Sequence, residues 1–251
     1  MKILGRGISK GHTSGKVKKV SRPVSFLGDV DPEKGVVFGE KNISDSIFVF
    51  PGGRGSTVGS YVIYQLKENG YAPKGMINSK TETIVASGAI ISDIPLVDMI
   101  DIDLLQDGDY IELDGNDGII ELPEIEEKEV VTAFIQKDDR ILLFRRSEEV
   151  GTYQGKWAGV SGYLEDNEPL EQAEIEIKEE TGLEPELVKE GKPVLARDGD
   201  KIWKVHPFLF SAEEEPTLNW ENEKYEWVAP SKMKKKKTVP NLYEAYQSLR
   251  C

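Results

Sequence analysis

Residues 162–183 read G-Y-L-E-D-N-E-P-L-E-Q-A-E-I-E-I-K-E-E-T-G-L. The second half has the spacing of a helix that stops at Gly182, and it sets Glu176, Glu179 and Glu180 at i, i+3 and i+4. Three carboxylates then project from one face, where like charges repel and a cation would offset them. Oxygen-only ligands that leave room for water and substrate phosphates suit Mg²⁺ or Mn²⁺. Gly162 lies upstream, where a tight turn lets its backbone carbonyl approach the same ion, and Gly182 supplies the helix stop. The spacing points to a divalent-metal site for diphosphates. The plainer alternative is a solvated acidic helix, since Glu at these spacings is common on exposed faces.

The same residues resemble the Nudix hydrolase box, in which a Gly, five residues, a Glu and seven residues precede R-E-U-x-E-E-x-G-U, with U aliphatic. Gly162 and Glu168 match its front, and Glu176, Ile177, Glu179, Glu180, Gly182 and Leu183 match its rear. There are two departures: Ile175 stands where the family has Arg, and the spacer after Glu168 is one residue short. The Arg braces a box glutamate, so its absence bears on the orientation and rate of the site rather than on the ligand carboxylates. The resemblance implies Glu176, Glu179, Glu180 and the Gly162 carbonyl as metal ligands, with Glu179 as a catalytic carboxylate.

Working outward, residues 130–136 and 140–146 form an expected hairpin around Lys137-Asp138-Asp139, further strand runs over 201–210, and a last helix covers 241–249. The resemblance extends over 129–251 and implies a mixed sheet sandwiched between helices. Arg145 and Arg146 point to opposite faces of a strand, so at most one meets substrate phosphates. Trp157 could stack a base or prenyl group or sit in the core. Glu223 and Glu226 precede the last loop, a region from which some Nudix enzymes recruit a base.

The whole chain of 251 residues suggests one or two domains, each able to bury a core. A net charge of -13 makes nucleic acid an unfavourable partner, and it makes an anionic substrate depend on a metal or on local Arg and Lys. No apolar run reaches membrane-spanning length and the start lacks a signal-peptide core, so the expected location is cytoplasmic, with no membrane partner. Cys251 is the single cysteine, so this chain alone ligates no iron–sulfur cluster and forms no internal disulfide. His12 and His206, the two histidines, exclude a histidine-rich zinc site.

Upstream, residues 15–20, 46–50, 83–86, 110–113 and 118–122 read as short strands bounded by Gly, Asp or Pro. One helix interrupts them over 57–69, with Val58, Tyr61, Val62 and Leu66 as its apolar stripe. The charged run 123–128 reads as a linker, which divides the chain into 1–122 and 129–251. Before the helix comes Gly52-Gly53-Arg54-Gly55-Ser56-Thr57. Its glycines can turn the backbone and expose N–H groups, the helix N-terminus favours an anion, and Arg54 can fork onto a carboxylate or phosphate. Ser56 sits in that field, although Ser56 or Thr57 could simply cap the helix.

Residues 1–122 carry a longer resemblance. Gly5-Arg6-Gly7-Ile8, Gly11, Gly15, the segment from Pro23 through Pro32, Gly35, the run P-G-G-R-G-S-T-V-G-S from Pro51, Ala72-Pro73 and Gly88-Ala-Ile-Ile are similar to the small swivel-domain subunit of the aconitase X family. Archaeal small subunits of phosphomevalonate dehydratase come nearest to this pattern. The resemblance implies a swivelling β/β/α domain and a heterodimer with a large subunit that carries a 4Fe-4S cluster. It also implies Ser56 as catalytic base and the loop residues Gly53, Arg54 and Gly55 as substrate-binding groups. Dehydrating a β-hydroxy acid needs a base for the α-proton and a Lewis acid for the departing hydroxyl, and this chain offers only the first. His12 is a second participant or a loop histidine bonding backbone.

The expected class is α+β in two domains, the swivel domain followed by a Nudix α/β/α sandwich with a mixed sheet. The expected activities are a hydro-lyase half and a Mg²⁺- or Mn²⁺-dependent diphosphate hydrolase, both acting on small phosphorylated metabolites. The alternative is a stand-alone Nudix hydrolase whose first domain is a docking or ligand-binding module.

Overall fold

The computed structural model describes residues 1–250. The chain divides into two compact units, Met1–Ile125 and Glu126–Cys251. The expected linker is partly strand: Glu126 opens a strand that runs to Lys137, so the charged residues 126–128 pair rather than span a gap.

The first unit is built on an eight-stranded sheet. Its central strands, His12–Lys19, Ile47–Phe50, Gly75–Asn78 and Leu96–Asp98, lie parallel in that order. Antiparallel strands flank them: Tyr110–Asp114, Ile119–Glu121 and Lys2–Leu4 on one side, Arg6–Ser9 on the other. Every residue of Ile47–Phe50 and of Gly75–Asn78 is buried, as parallel strands covered on both faces require. Helices Gly59–Glu68 and Thr83–Ile91 cover the sheet, and three short strands, Val30–Asp31, Val36–Val37 and Lys41–Asn42, form a small side sheet.

Two expectations are corrected here. Residues 83–86, rich in β-branched side chains, are the first turn of the helix Thr83–Ile91. That helix buries Val85, Gly88 and Ala89, a period of three and four, and a Cβ on Gly88 would stand 2.5 Å from the Ile63 side chain, so glycine permits the close approach of the two helices. Tertiary packing overrides strand propensity. The other helix begins at Gly59 and buries Gly59, Val62, Ile63 and Leu66, while Val58 and Tyr61 of the expected stripe are 45% and 66% exposed.

Asp98 is wholly buried on its strand and accepts a two-pronged bond from Arg6, at 2.9 and 2.8 Å, with a third bond from the Thr81 N–H. Burial alone would raise its pKa, but the Arg6 fork and the Thr81 amide outweigh it and hold the carboxyl below its usual value. A depressed folded pKa gives stability that is complete above the ordinary Asp range and is lost as pH falls through the lowered value. Asp98→Asn is expected to cost about 2 kcal/mol at neutral pH, with the deficit shrinking as the parent is acidified into that window; urea unfolding at several pH values measures it.

The second unit is a mixed sheet with helices on both faces. The order runs Trp157–Ala158, Arg140–Arg146, Glu126–Lys137, Lys201–Ser211 and Glu186–Glu190, and Glu126–Lys137 and Lys201–Ser211 are parallel. The hairpin forms as expected: Lys137 faces Arg140, and Asp138 takes the left-handed conformation that a two-residue turn needs. Alternation along Glu126–Lys137 sends Val131, Ala133 and Ile135 into the core under the helix Pro169–Thr181, and Phe134 into the core under the helix Leu242–Ser248. Gly182 ends Pro169–Thr181 at φ 70°, the helix stop read from the sequence.

Candidate functional sites

In the first unit, the glycine loop leaves the carboxyl end of Ile47–Phe50, the side of a parallel sheet where ligands gather. Residues 54–58 are all exposed, Ser56 among them. Neither Ser56 nor Thr57 caps the helix, whose N-cap position is Val58 without a side-chain bond. The Ser56 Oγ instead accepts a 3.3 Å bond from the Val58 N–H. Gly55 is left-handed at φ 99°, and a Cβ there would stand 2.9 Å from the Ser25 Oγ, so a side chain at this position is both strained and crowded.

The anion clamp expected of Gly53 and Arg54 is already engaged by the protein. Glu82, the residue before Thr83–Ile91, accepts the Gly53 N–H at 2.7 Å, and the Arg54 N–H goes to the Val24 carbonyl at 2.9 Å. The Arg54 guanidinium donates to Asp29 at 3.1 Å and to the Pro23 carbonyl at 3.2 Å. Arg54 thus ties the loop to segment 23–29, and its half-exposed head remains at the surface. Glu82 and Asp29 were not legible as partners: they lie 29 and 25 residues from the groups they bind. His12 is exposed, with Nδ1 3.4 Å from Asp114 and Nε2 2.7 Å from Asn116, a surface polar cluster of its own.

In the second unit, Pro169–Thr181 lies beside the strand Val160–Tyr163 and presents the three box glutamates unequally. Glu180 is 2% exposed and accepts from the Ser161 N–H at 3.1 Å and from the Asn222 amide at 2.7 Å. Burial pushes its pKa up to about 7 against those two bonds, with repulsion from Glu221 and Glu176 adding to the rise. Glu176 is half-buried against Gly162; a Cβ on that glycine would collide with its carboxylate. Burial raises its pKa too, the Gln172 amide opposes the rise, and Glu179, Glu221 and Glu165 add repulsion. Glu179 is exposed.

Among the described residues no three His, Cys, Asp or Glu side chains converge as a finished ligand set. The donor chemistry nonetheless suits a hard divalent ion: the groups are carboxylates and a glycine carbonyl, and their mutual repulsion is what a cation would offset. Glu168 is the N-cap residue of the helix and makes no side-chain cap bond. Ile175, in the place of the family's Arg, is partly buried, and the bracing of the box glutamates comes from the amides of Gln172 and Asn222 instead.

The other expected participants separate cleanly. Arg145 pairs with Glu223 at 3.3 Å, and Glu226 pairs with Lys236 at 2.6 Å. Arg146 bonds the Thr152 carbonyl through Nε and lines a pocket next to Gly162. The Trp157 ring is flanked by Lys236 and Lys224, with Nζ 3.8 and 5.7 Å from its centroid, so it stacks on cations of the protein rather than on a pocket.

Family models match both units: the aconitase X swivel domain over residues 2–122 and the NUDIX domain over residues 127–249. The phosphomevalonate dehydratase small subunit of Methanosarcina acetivorans is 51% identical over 131 residues, which cover 49% of this chain and 91% of the relative. That of Thermococcus sibiricus is 48% identical over 131 residues, covering 49% of this chain and 100% of the relative. A solved chain described as aconitase X (holo-form) of Thermococcus kodakaraensis is 49% identical, covers 49% of this chain and 99% of its own length, and has a TM-score of 0.48. The chain belongs, through its first half, to the aconitase X swivel-domain family that includes phosphomevalonate dehydratase small subunits, and it carries a NUDIX domain in its second half.

Proposed function

We propose that residues 1–122 are the small subunit of a hydro-lyase that dehydrates (R)-5-phosphomevalonate to trans-anhydromevalonate 5-phosphate, and that residues 129–251 hydrolyse a diphosphate, the two joined by the short segment 123–128. The partner of the first half is a separate large subunit holding a 4Fe-4S cluster. The observation that carries this reading is the near-complete span of the curated small subunits by this chain at about half identity. The exposed loop supports it: Val58, two residues after Ser56, and Tyr61, one turn further on, are 45% and 66% exposed. Large apolar side chains around a polar catalytic group are what a docked partner would cover.

In the dehydration, Ser56 would take the α-proton, the Cα–H electrons would form the Cα=Cβ double bond, and the β-hydroxyl would leave, taking up a proton from solvent to become water. Ser56 accepts a backbone N–H, and its activation as a base would come from the helix N-terminus, Arg54 or the partner's metal. Arg54, held by Asp29, orients the loop and lends positive charge near a phosphorylated substrate.

In the second half, Glu176, Glu179, Glu180 and the Gly162 carbonyl would hold a divalent cation. Mg²⁺ or Mn²⁺ bound there supplies charge neutralisation of the diphosphate and a lowered pKa for the attacking water. Glu179, the exposed member, would accept the water's proton, while Glu180 is held by Asn222 and Ser161. The fusion associates the diphosphate with the substrates of the first half, as a prenyl or isopentenyl diphosphate. Among the described residues no helix is long and apolar enough to cross a membrane.

The test is anaerobic co-purification with the candidate large subunit followed by an assay of water loss from 5-phosphomevalonate. Activity that requires both chains is the expected result. A cluster-loaded complex without turnover would remove the substrate assignment, and no complex at all would leave a Nudix hydrolase with a docking domain.

A further inference from the structure

In the first unit two loops meet at the carboxyl ends of neighbouring parallel strands. Ile47–Phe50 runs into the glycine loop that carries Ser56, and Gly75–Asn78, paired with it, runs into segment 79–82. The Lys80 N–H donates to the Pro51 carbonyl at 3.3 Å, a Cβ on Gly52 would stand 2.8 Å from the Lys80 carbonyl oxygen, and Glu82 accepts the Gly53 N–H at 2.7 Å. Crevices at such strand ends are where open parallel sheets take their ligands.

An anionic ligand meets an obstacle here. The chain carries a net charge of -13, and the carboxylates of Asp29 and Glu82 sit on the glycine loop itself. Four cations at this end of the sheet are committed to the protein. Arg6 forks onto Asp98, and the Arg54 guanidinium serves Asp29 and the Pro23 carbonyl. Lys19 donates to the carbonyls of Ile102 and Leu105 at 2.7 and 3.0 Å, and Arg22 lies over the Phe38 ring at 3.7 Å. Lys80 differs from them: its side chain is exposed and makes no hydrogen bond, ion pair or ring contact among the described residues, although its backbone is pinned beside the Ser56 loop. Two residues earlier, at the end of the strand, Asn78 is wholly buried; its Oδ1 accepts the Thr81 hydroxyl at 2.8 Å and its Nδ2 has no partner. One strand end therefore carries a free cation and a buried donor whose acceptors the chain itself does not supply.

We infer that Lys80 holds the phosphate of the dehydratase substrate. The carboxylate of a β-hydroxy acid is attached to the carbon from which Ser56 takes the proton, so it lies against the serine. The phosphate is the other end of the molecule and needs a cation set apart from Ser56, on a neighbouring loop. A lysine suits that task, with three donors on a flexible four-carbon stem. The inference rests on the reading of the first half as the small subunit of a dehydratase for a phosphorylated hydroxy acid.

The experiment uses the assembled two-subunit enzyme under anaerobic conditions and measures water loss from 5-phosphomevalonate, with inorganic phosphate and acetate as competitors. Lys80→Ala is expected to raise KM by roughly 10- to 100-fold with kcat nearly unchanged, the order of effect of a lost charge-assisted hydrogen bond. Competition by phosphate should weaken with it, and competition by acetate should not. Lys80→Gln, which keeps most of the stem and loses the charge, should match the alanine variant, and Lys80→Arg should recover most of the affinity; a merely structural role would not sort the variants by charge. An unchanged KM in the alanine and glutamine variants overturns the inference and leaves the dehydratase. Weakened competition by acetate alone moves Lys80 to the carboxylate and overturns it as well, and so does a lower yield of the complex with unaltered KM, which makes Lys80 an interface group. No water loss from the parent complex removes the dehydratase reading and the phosphate assignment with it.

Discussion

Ser56→Ala is expected to lower dehydration by the assembled two-subunit enzyme by roughly 10²- to 10⁴-fold, the range that a positioned general base contributes. The loss should fall on kcat, with little change in KM or in the yield of the complex. Ser56 is exposed, contributes no side chain to the core, and makes one bond, from the Val58 N–H. Removing its hydroxyl therefore leaves the loop held by the Gly53–Glu82 and Arg54–Asp29 contacts. Unchanged dehydration would remove Ser56 from the chemistry and leave the first half as a docking module. A loss of complex formation instead of kcat would make the hydroxyl an interface group.

Gly162→Ala is expected to leave the second unit folded and cut diphosphate hydrolysis by about a hundredfold, the order of effect that a displacement near 1 Å has on a catalytic group. Gly162 is not in the left-handed region, so its backbone accepts alanine without strain. The added methyl would lie within 2.6 Å of the Glu176 carboxylate and Cγ, so that side chain must turn aside. That movement takes a carboxylate away from the place where the box needs it. Circular dichroism and the melting temperature should match the parent, while calorimetric titration with Mg²⁺ shows weaker binding. Hydrolysis at the parental rate would show that Glu176 is not required where it stands.

The two experiments also separate the halves of the molecule. Ser56→Ala should not alter diphosphate hydrolysis, and Gly162→Ala should not alter dehydration, since each residue lies within its own compact unit.

The glutamate helix was legible because helical periodicity is local: Glu176, Glu179 and Glu180 announce a shared face, and Gly182 announces its end, with no knowledge of what surrounds them. The same holds for the hairpin at Asp138-Asp139 and for the glycine loop before Ser56. Long ordered resemblance added the swivel domain, where short strands such as Lys2–Leu4, Arg6–Ser9 and Leu96–Asp98 are too brief for alternation to register.

What lay outside the reach of sequence is every relation that depends on distant residues meeting. Residues 83–86 carry β-branched side chains that favour a strand, yet they lie in a helix that buries Val85, Gly88 and Ala89, with Gly88 close against Ile63. Trp157 reads in sequence as a stacking platform or a core ring, and the fold instead sets Lys236 and Lys224 over its ring. Glu180 reads in sequence as one of three equivalent carboxylates; the fold buries it and hands it to Asn222, 42 residues away. Sequence by itself determined the kinds of chemistry this protein carries, because residue type and local period decide which groups can act. Tertiary structure alone decided which of those groups are free to act, because burial and long-range hydrogen bonds are properties of the folded chain.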